Sequence, residues 1–381
     1  LGAAYLLTRN KLAKVTVLEE NQWVGGTAAS FEISGIKVDL GSHRLHPACD
    51  PEIMKDIKNL LGDELLDRPR HGRIRLHGRW IHFPLKPLDL AFRLPPSFGI
   101  GVMTDLVGKI VRRKAIRPGK ETFESVLEAG LGKTIYRDFY LPYSHKIWGL
   151  KPDDLSKEQA SRRVSSNSTG KMFLKVLSAL PGIKKPQGNG RFYYPLKGFG
   201  QICESLSHDA KEKGANIILG ASFKSLLLGG KRARSVTYVQ DNKTYSVEAD
   251  FIWSTIPNTL LIQSIQPSPP PAVIDASRKL KFRSMILVYL TLNQKRFTEY
   301  DAHYFPEASI PVTRLSEPKN YCNVSTPENS TVLCAELPCF TTSPEWEMQD
   351  IELGELVKQC LDKVELTVKK PIEKVVTKRL K

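Results

Sequence analysis

The hydrophobic pattern at the start of the chain predicts a helix followed by a strand. Apolar residues at 3–7 and 12 suit one face of a helix, and the aliphatic run at 15–18 is typical of a buried parallel strand. The strand ends on Glu19. Helix, strand and a carboxylate at the strand's carboxyl end form the second half of a dinucleotide-binding βαβ unit, in which the carboxylate bonds a ribose hydroxyl. An ordinary helix–strand pair with an acidic end is the alternative.

The positions of glycines relative to Glu19 support a dinucleotide-binding unit. In such a unit the carboxylate follows a glycine turn by about 20 residues, so we expect the chain to begin inside the motif. Gly25 and Gly26 follow the carboxylate, where glycines let the backbone approach a phosphate closely. A strand at 36–40 then leads into a second glycine turn at Gly41.

Further along, the pattern predicts both helices and antiparallel strands. Helices are expected at 50–64, 100–111, 122–140, 171–180, 201–213 and 351–363. Strands are expected at 68–83 and 234–247 as hairpins, at 250–257 as a buried strand, and at 282–293, 303–306, 312–315, 331–337 and 372–378 as a sheet. The fold class is therefore α/β, with a second, antiparallel sheet.

Residues 141–150 bring Tyr143, Lys146 and Trp148 together in what we interpret as a loop. Aromatic rings and a cation can stack on a base and bind a phosphate. An aromatic–proline clamp that joins two helices is the other interpretation. The helix at 100–111 is also open to two interpretations, because its cationic end suits either a cap helix or a face that contacts a membrane surface.

Composition narrows the function classes. The 381 residues are 41% hydrophobic and 25% charged, which is ordinary for a globular protein of two domains. Lysine and arginine number 56 against 40 acidic residues, a net charge of +16 that suits an anionic substrate or surface. The basic residues are spread along the chain and no nucleic-acid motif is present, so nucleic acid is not expected as a partner.

The six cysteines form no CxxC pair, so we expect a reducing, cytoplasmic compartment and no metal site. No apolar run reaches the ~18 residues of a membrane-spanning helix. The oligomeric state stays open.

The segments VTVLEE, VGGTAASF and VDLGSHRLHP resemble the start of the flavin amine oxidase superfamily. That group includes monoamine oxidases, protoporphyrinogen oxidases, phytoene desaturases and UDP-galactopyranose mutases. The resemblance extends over nearly the whole chain and implies FAD as the cofactor. It also implies that the chain stops before the family's last cofactor-binding element.

The resemblance implies roles for individual residues. The implied cofactor-binding residues are Glu19 on the ribose, Gly25 and Gly26 near the pyrophosphate, Gly41 and Ser42 near the flavin ring, and Phe223 near adenine. His43 and Arg44 would be the catalytic residues, and Tyr143, Lys146 and Trp148 would bind substrate. The last three resemble the Y-T-x-K-x-W-G segment of UDP-galactopyranose mutases, although Ser144 replaces the usual threonine.

The predicted architecture is a Rossmann-like FAD-binding domain, 1–69 and 187–262, interrupted by a helical cap and followed by a substrate sheet, 70–186 and 263–381. The predicted function is an FAD-dependent oxidoreductase of the amine oxidase and protoporphyrinogen oxidase type, acting on a small molecule. A mutase-like enzyme acting on a sugar nucleotide is the first alternative. A plain NAD(P)-dependent enzyme and a non-catalytic binding protein on the same fold are the others.

Overall fold

The computed structural model describes residues 1–84, 86, 89, 92–111, 122–156, 158, 190–322 and 327–381. The strands are β1 Thr16–Glu19, β2 Ser30–Ile33, β3 Ile36–Asp39, β4 Leu65–Pro69, β5 Gly72–Leu76, β6 Arg79–Phe83, β7 Arg191–Pro195, β8 Asn216–Leu219, β9 Ser222–Gly229, β10 Arg232–Gln240, β11 Lys243–Glu248, β12 Ile265–Gln266, β13 Ser284–Leu292, β14 Ala302–Tyr304, β15 Arg314–Ser316, β16 Thr331–Cys339 and β17 Ile372–Leu380.

The helices are α1 Gly2–Arg9, α2 Pro51–Leu61, α3 Pro96–Val111, α4 Phe123–Leu131, α5 Lys133–Ile135, α6 Leu141–Trp148, α7 Gln201–Glu212, α8 Asn258–Gln263, α9 Pro271–Arg278, α10 Lys319–Cys322, α11 Pro344–Glu347 and α12 Asp350–Lys363. The predicted helix at 171–180 lies outside the described residues. So does the cationic end of the cap helix, Arg112 to Lys114.

Contacts divide the chain into two compact units. The first comprises residues 1–30, 54–62 and 199–282, and the second comprises 31–53, 63–198 and 283–381. The predicted domains were defined by cofactor and substrate roles, which contacts do not test. That division therefore stays a prediction.

The first unit contains the predicted helix and strand. Strand β1 pairs in parallel with β8, and α1 packs against α7 through Ala4 and Ala210, with Val17 of β1 beside them. A second sheet has the order β11-β10-β9-β12. Its hairpin, predicted at 234–247, turns through Asp241 and Asn242, which both have positive φ.

The second unit is built on a seven-stranded sheet of order β17-β13-β16-β15-β14-β5-β6. Neighbouring strands are antiparallel except β14 and β5, which are parallel. Every residue of β16 is buried, as are eight of the nine residues of β13. The predicted antiparallel substrate sheet is confirmed as a structural element.

Two apolar cores cover the two faces of this sheet. Ile286 and Val288 of β13 alternate with Leu287 and Tyr289, so that neighbouring residues of the strand enter opposite cores. On one face the core includes Leu353, Val357 and Leu361 of α12, and on the other it includes residues of β2 and β3.

The cap helices follow local signals in the sequence. Thr122 caps α4, its hydroxyl accepting from the N–H of Ser125 at 3.2 Å. The single helix predicted at 122–140 ends instead at Gly132, whose φ of 93° leaves the helical region. The backbone then re-enters a helix at Lys133.

Two predictions of local structure are wrong. Residues 141–150, predicted as a loop, contain helix α6, which carries a proline in its first turn and ends at Gly149 with φ 64°. Residues 250–257, predicted as a buried strand, pair with no strand in the described part of the chain. Phe251 and Trp253 are therefore 95% and 83% exposed.

None of the six cysteines forms a disulfide. Within the described residues, no helix has the length and apolar character needed to cross a bilayer. The same residues contain no group of three or more potential metal ligands.

Candidate functional site

Glu19 lies half-buried at the carboxyl end of β1, as predicted. Its Oε1 accepts two hydrogen bonds from Asn21, one from the backbone N–H at 2.9 Å and one from the side-chain amide at 2.7 Å. Its backbone carbonyl accepts from Ala221 at 2.8 Å. Among the described residues no donor binds Oε2, so one oxygen fixes the side chain and the other is available to a ligand.

The glycine segment after Glu19 packs tightly against helix α7. Gly25 has φ 107°, and a Cβ atom there would lie 3.0 Å from Cβ of Cys203. A Cβ at Gly200 would lie only 2.4 Å from the backbone nitrogen of Ser30, whose hydroxyl accepts from the N–H of Gly200 at 2.8 Å. Gly26, with φ 53°, would place a Cβ in open space. Its backbone is thus left-handed, uncovered and accessible to a ligand.

Phe223, predicted near adenine, belongs to β9 and lies opposite Tyr238 of β10. Its ring is half-buried. The structure thus places Glu19, Gly25, Gly26 and Phe223 in the first unit.

The turn from Gly41 to Arg44 belongs to the second unit, where a buried carboxylate fixes it. Gly41 has φ 106°, and the N–H of Ser42 donates to Oε1 of Glu336 at 2.9 Å. The same oxygen accepts from Nε of Arg314 at 3.0 Å. The hydroxyl of Ser42 bonds that of Tyr321. The turn is therefore held by side chains far away in the sequence.

The two predicted catalytic residues have different surroundings. Nε2 of His43 lies 3.0 Å from the carbonyl oxygen of Leu40. Arg44 is almost fully buried, 3.3 Å from Oδ1 of Asp301. Its guanidinium lies against the rings of Phe192 and Tyr321, at 5.0 and 4.9 Å. The ion pair with Asp301 and the faces of the two rings therefore fix the position of the Arg44 guanidinium.

Tyr143, Lys146 and Trp148 all lie on α6. The ring of Tyr143 stacks obliquely on Phe139 at 5.5 Å, and Trp148 packs on the cap core. The ammonium of Lys146 donates to the backbone carbonyls of Phe305, Glu307 and Val312. A substrate role for Lys146 stays a prediction, but all three of its donors already have partners within the protein.

The sequence did not predict the other polar residues around the Gly41 turn. They are Asp39, Asp301, Arg314, Tyr321 and Glu336. One signal was present: Glu336 is a lone acid within the apolar strand β16, and Arg314 is its register partner on β15. Their link to Ser42 spans 294 residues of sequence and had no local signal.

Residues 1–378 match the family described as flavin containing amine oxidoreductase. The chain belongs to this family. It is an FAD-dependent oxidoreductase, so the resemblance, the cofactor and the α/β fold class predicted from the sequence are confirmed. No curated protein sequence is similar enough to be counted as a relative.

Three solved structures place the oxidoreductase within its fold family. A reduced UDP-galactopyranose mutase superimposes with a TM-score of 0.80 at 20% identity, covering 100% of this chain and 80% of that one. A putative protoporphyrinogen oxidase from Exiguobacterium sp. 255-15 gives 0.72 at 18% identity, covering 99% and 83%. Putrescine oxidase bound to putrescine gives 0.64 at 14%, covering 98% and 81%. At these identities the likeness is one of fold.

The residues of the first unit fit a dinucleotide. Glu19 presents a carboxylate oxygen without a protein donor in the described part, as a ribose hydroxyl requires. The backbone at Gly26 is uncovered, as close approach to a pyrophosphate requires.

Proposed function

We propose that the oxidoreductase oxidises a C–H or C–N bond of a bulky small molecule. The family match over residues 1–378 carries this proposal. The Gly41 turn, held by a buried carboxylate, supports it because a reaction centre needs fixed geometry. When bound, FAD would supply a hydride acceptor for the substrate's C–H or C–N bond, with dioxygen as the final oxidant and hydrogen peroxide as its product.

For the nucleotide end, we propose that Glu19 accepts hydrogen bonds from the ribose hydroxyls. The segment at Gly25 and Gly26 would lie along the pyrophosphate, with Gly26 uncovered, and Phe223 would offer backbone groups to adenine. The free oxygen of Glu19 supports the first of these roles.

For the reaction centre, we propose that Gly41 and Ser42 shape the turn that faces the flavin ring. A cation at His43 or Arg44 would stabilise negative charge that develops there. The rings of Tyr143 and Trp148 would position the substrate. Lys146 is better explained as a structural residue, because its ammonium is bound by three carbonyls.

Replacing Glu19 with glutamine tests the nucleotide site. Loss of a charge-assisted hydrogen bond should cost about 1.5–3 kcal/mol, or roughly a 10- to 150-fold weaker affinity for FAD. Glu20→Gln is the matched control, since Glu20 is exposed and carries the same charge. Flavin titration followed by fluorescence measures both variants. Equal affinity in Glu19→Gln and wild type would refute the assignment.

A second candidate is ring contraction of a sugar nucleotide, favoured by the TM-score of 0.80 to a mutase. One anaerobic experiment separates the two. An amine or a porphyrinogen should bleach the flavin of the oxidised enzyme, and oxygen should restore its colour. Ring-contracted product made from UDP-galactopyranose by dithionite-reduced enzyme alone would overturn our choice.

We also propose a peripheral contact between the cap and an anionic membrane surface. Ile100, Met103 and Val107 repeat at helical spacing along α3 and are 66%, 52% and 55% exposed. Co-sedimentation with phosphatidylserine vesicles tests this contact. Met103→Glu should abolish it, and unchanged sedimentation would refute it.

A further inference from the structure

A carboxylate of the second unit joins the Gly41 turn to the start of β5. Asp301 is 3% exposed. Its Oδ1 lies 3.3 Å from Nη2 of Arg44, and its Oδ2 accepts from the N–H of His71 at 3.0 Å. A Cβ at Gly72 would lie 3.3 Å from Oδ1 and 3.1 Å from the carbonyl of Ala302. The chain at residues 70–72 therefore lies directly against this carboxylate.

Arg70 lies in this segment, but it lacks an acidic partner. In the described part of the chain no carboxylate comes within ion-pair distance of its side chain. Its guanidinium lies 5.9 Å from the ring of Phe83, and its backbone N–H donates to the carbonyl of Gly190 at 2.7 Å. The side chain is half-buried. Burial, and then the charge on Arg44, lower the pKa of Arg70, and Tyr304 and Asp301 oppose this only in part.

The side chains around Arg44 and Arg70 carry an excess of positive charge. Arg44 and Arg70 are both cations, and among the described residues Asp301, which pairs with Arg44, is the one carboxylate within ion-pair distance of either. Nε of Arg44 is buried and has no hydrogen-bond partner in the same part of the structure. A buried donor without a partner is costly and usually has a bound water, an ion or a ligand. An anion beside Arg70 would also neutralise the excess positive charge.

We propose that Arg70, together with Arg44, binds an anionic group of the substrate, a carboxylate or a phosphate. The inference rests on the proposed function, since it describes the substrate of that same reaction. Guanidinium groups bind both kinds of anion in a bidentate manner. The rings of Phe83, Phe192 and Tyr321 lie around the two arginines and suit a flat or apolar group next to the anion. Arg70 is then a specificity residue rather than a catalytic one.

Calorimetric titration of the FAD-loaded protein tests the site. The probes are inorganic phosphate and benzoate, each at low ionic strength, and sodium chloride serves as the blank. We expect wild type to bind at least one probe with one-to-one stoichiometry, and the stronger probe identifies the anion. Arg70→Gln should weaken that binding at least tenfold. Arg79→Gln, which removes an exposed arginine of the neighbouring strand, should change it less than twofold.

Several outcomes overturn the inference. They are equal binding by wild type and Arg70→Gln, an equal loss in Arg79→Gln, and no binding of either probe to wild type. Arg70→Lys keeps the charge without the bidentate geometry, so its affinity for the probe should lie between those of wild type and Arg70→Gln. This variant provides the test if Arg70→Gln fails to fold. Flavin content is recorded separately by absorbance. A protein that binds phosphate through Arg70 but holds no flavin contradicts the proposed function, and a flavin-loaded protein indifferent to Arg70 contradicts this inference.

Discussion

Replacing Lys146 with methionine should destabilise the second unit strongly. The ammonium donates to the carbonyls of Phe305, Glu307 at 3.1 Å and Val312 at 3.0 Å. Methionine fills the same space but leaves three acceptors without their donor. A hydrogen bond involving a charged group contributes about 1.5–3 kcal/mol, and burial of the charge offsets part of the sum. We expect a net loss of about 3–5 kcal/mol at neutral pH.

The pH dependence of this loss is a sharper test. Burial lowers the pKa of Lys146 from 10.5 to about 7. Between these values the unfolded chain binds the proton more tightly than the folded chain, so stability rises with pH across that window. Below about pH 7 both states hold the proton and the full cost of burying it applies. The stability gap between wild type and Lys146→Met should therefore widen from pH 7 to 9, by about 2–3 kcal/mol at about 1.4 kcal/mol per pH unit.

Urea unfolding followed by far-UV circular dichroism at pH 7 and pH 9 measures this gap. Lys151→Met, at an exposed position shortly after α6, is the matched control and should be neutral. If Lys146→Met unfolds at the same urea concentration as the control, the carbonyl contacts contribute nothing. A gap that is large but equal at both pH values would mean that the ammonium stays charged when buried, and our account of its pKa would be wrong.

Two further predictions concern stability alone. Burial, and then the charge of Arg73, lower the pKa of His303 from 6.5 to about 3, so wild type should lose about 1.4 kcal/mol per pH unit as pH falls below about 6.5. His303→Gln should remove much of this acid sensitivity, which urea unfolding at pH 6.5 and 4.5 measures. Thr122→Ala should lower stability by about 1 kcal/mol through loss of the α4 cap, whereas Thr122→Ser should not; equal melting temperatures of the two variants would contradict this.

Short stretches of sequence predicted the elements whose formation depends on neighbouring residues. The strand that ends on Glu19 and the hairpin at 234–247 each rest on a few neighbouring residues. The helix at residues 141–148 was also signalled, by an early proline and by Gly149 at its end. The cluster of aromatic residues in that segment favours a loop interpretation, which is wrong.

Parts that depend on distant partners were beyond local reasoning. Phe251 and Trp253 have strong β propensity, yet burial depends on a neighbouring strand and propensity alone cannot supply one. The acceptor for the N–H of Ser42 is Glu336, 294 residues away. The sequence identified the Gly41 turn from its glycine and missed Asp301, because a lone aspartate in a polar stretch carries no positional signal.

The discontinuity of the second unit has a consequence for synthesis of the chain on the ribosome. The hydroxyl of Tyr289 bonds the carbonyl of Asp39 across 250 residues, and β13 carries the core that β2 and β3 need. At about 5–20 residues per second, residues 30–39 would wait roughly 12–50 seconds for that partner. Part of the sequence between them, 199–282, belongs to the first unit, so that unit is synthesised completely before β13. The first unit can therefore fold before the early strands of the second unit meet their partner, although part of its sequence is made after them.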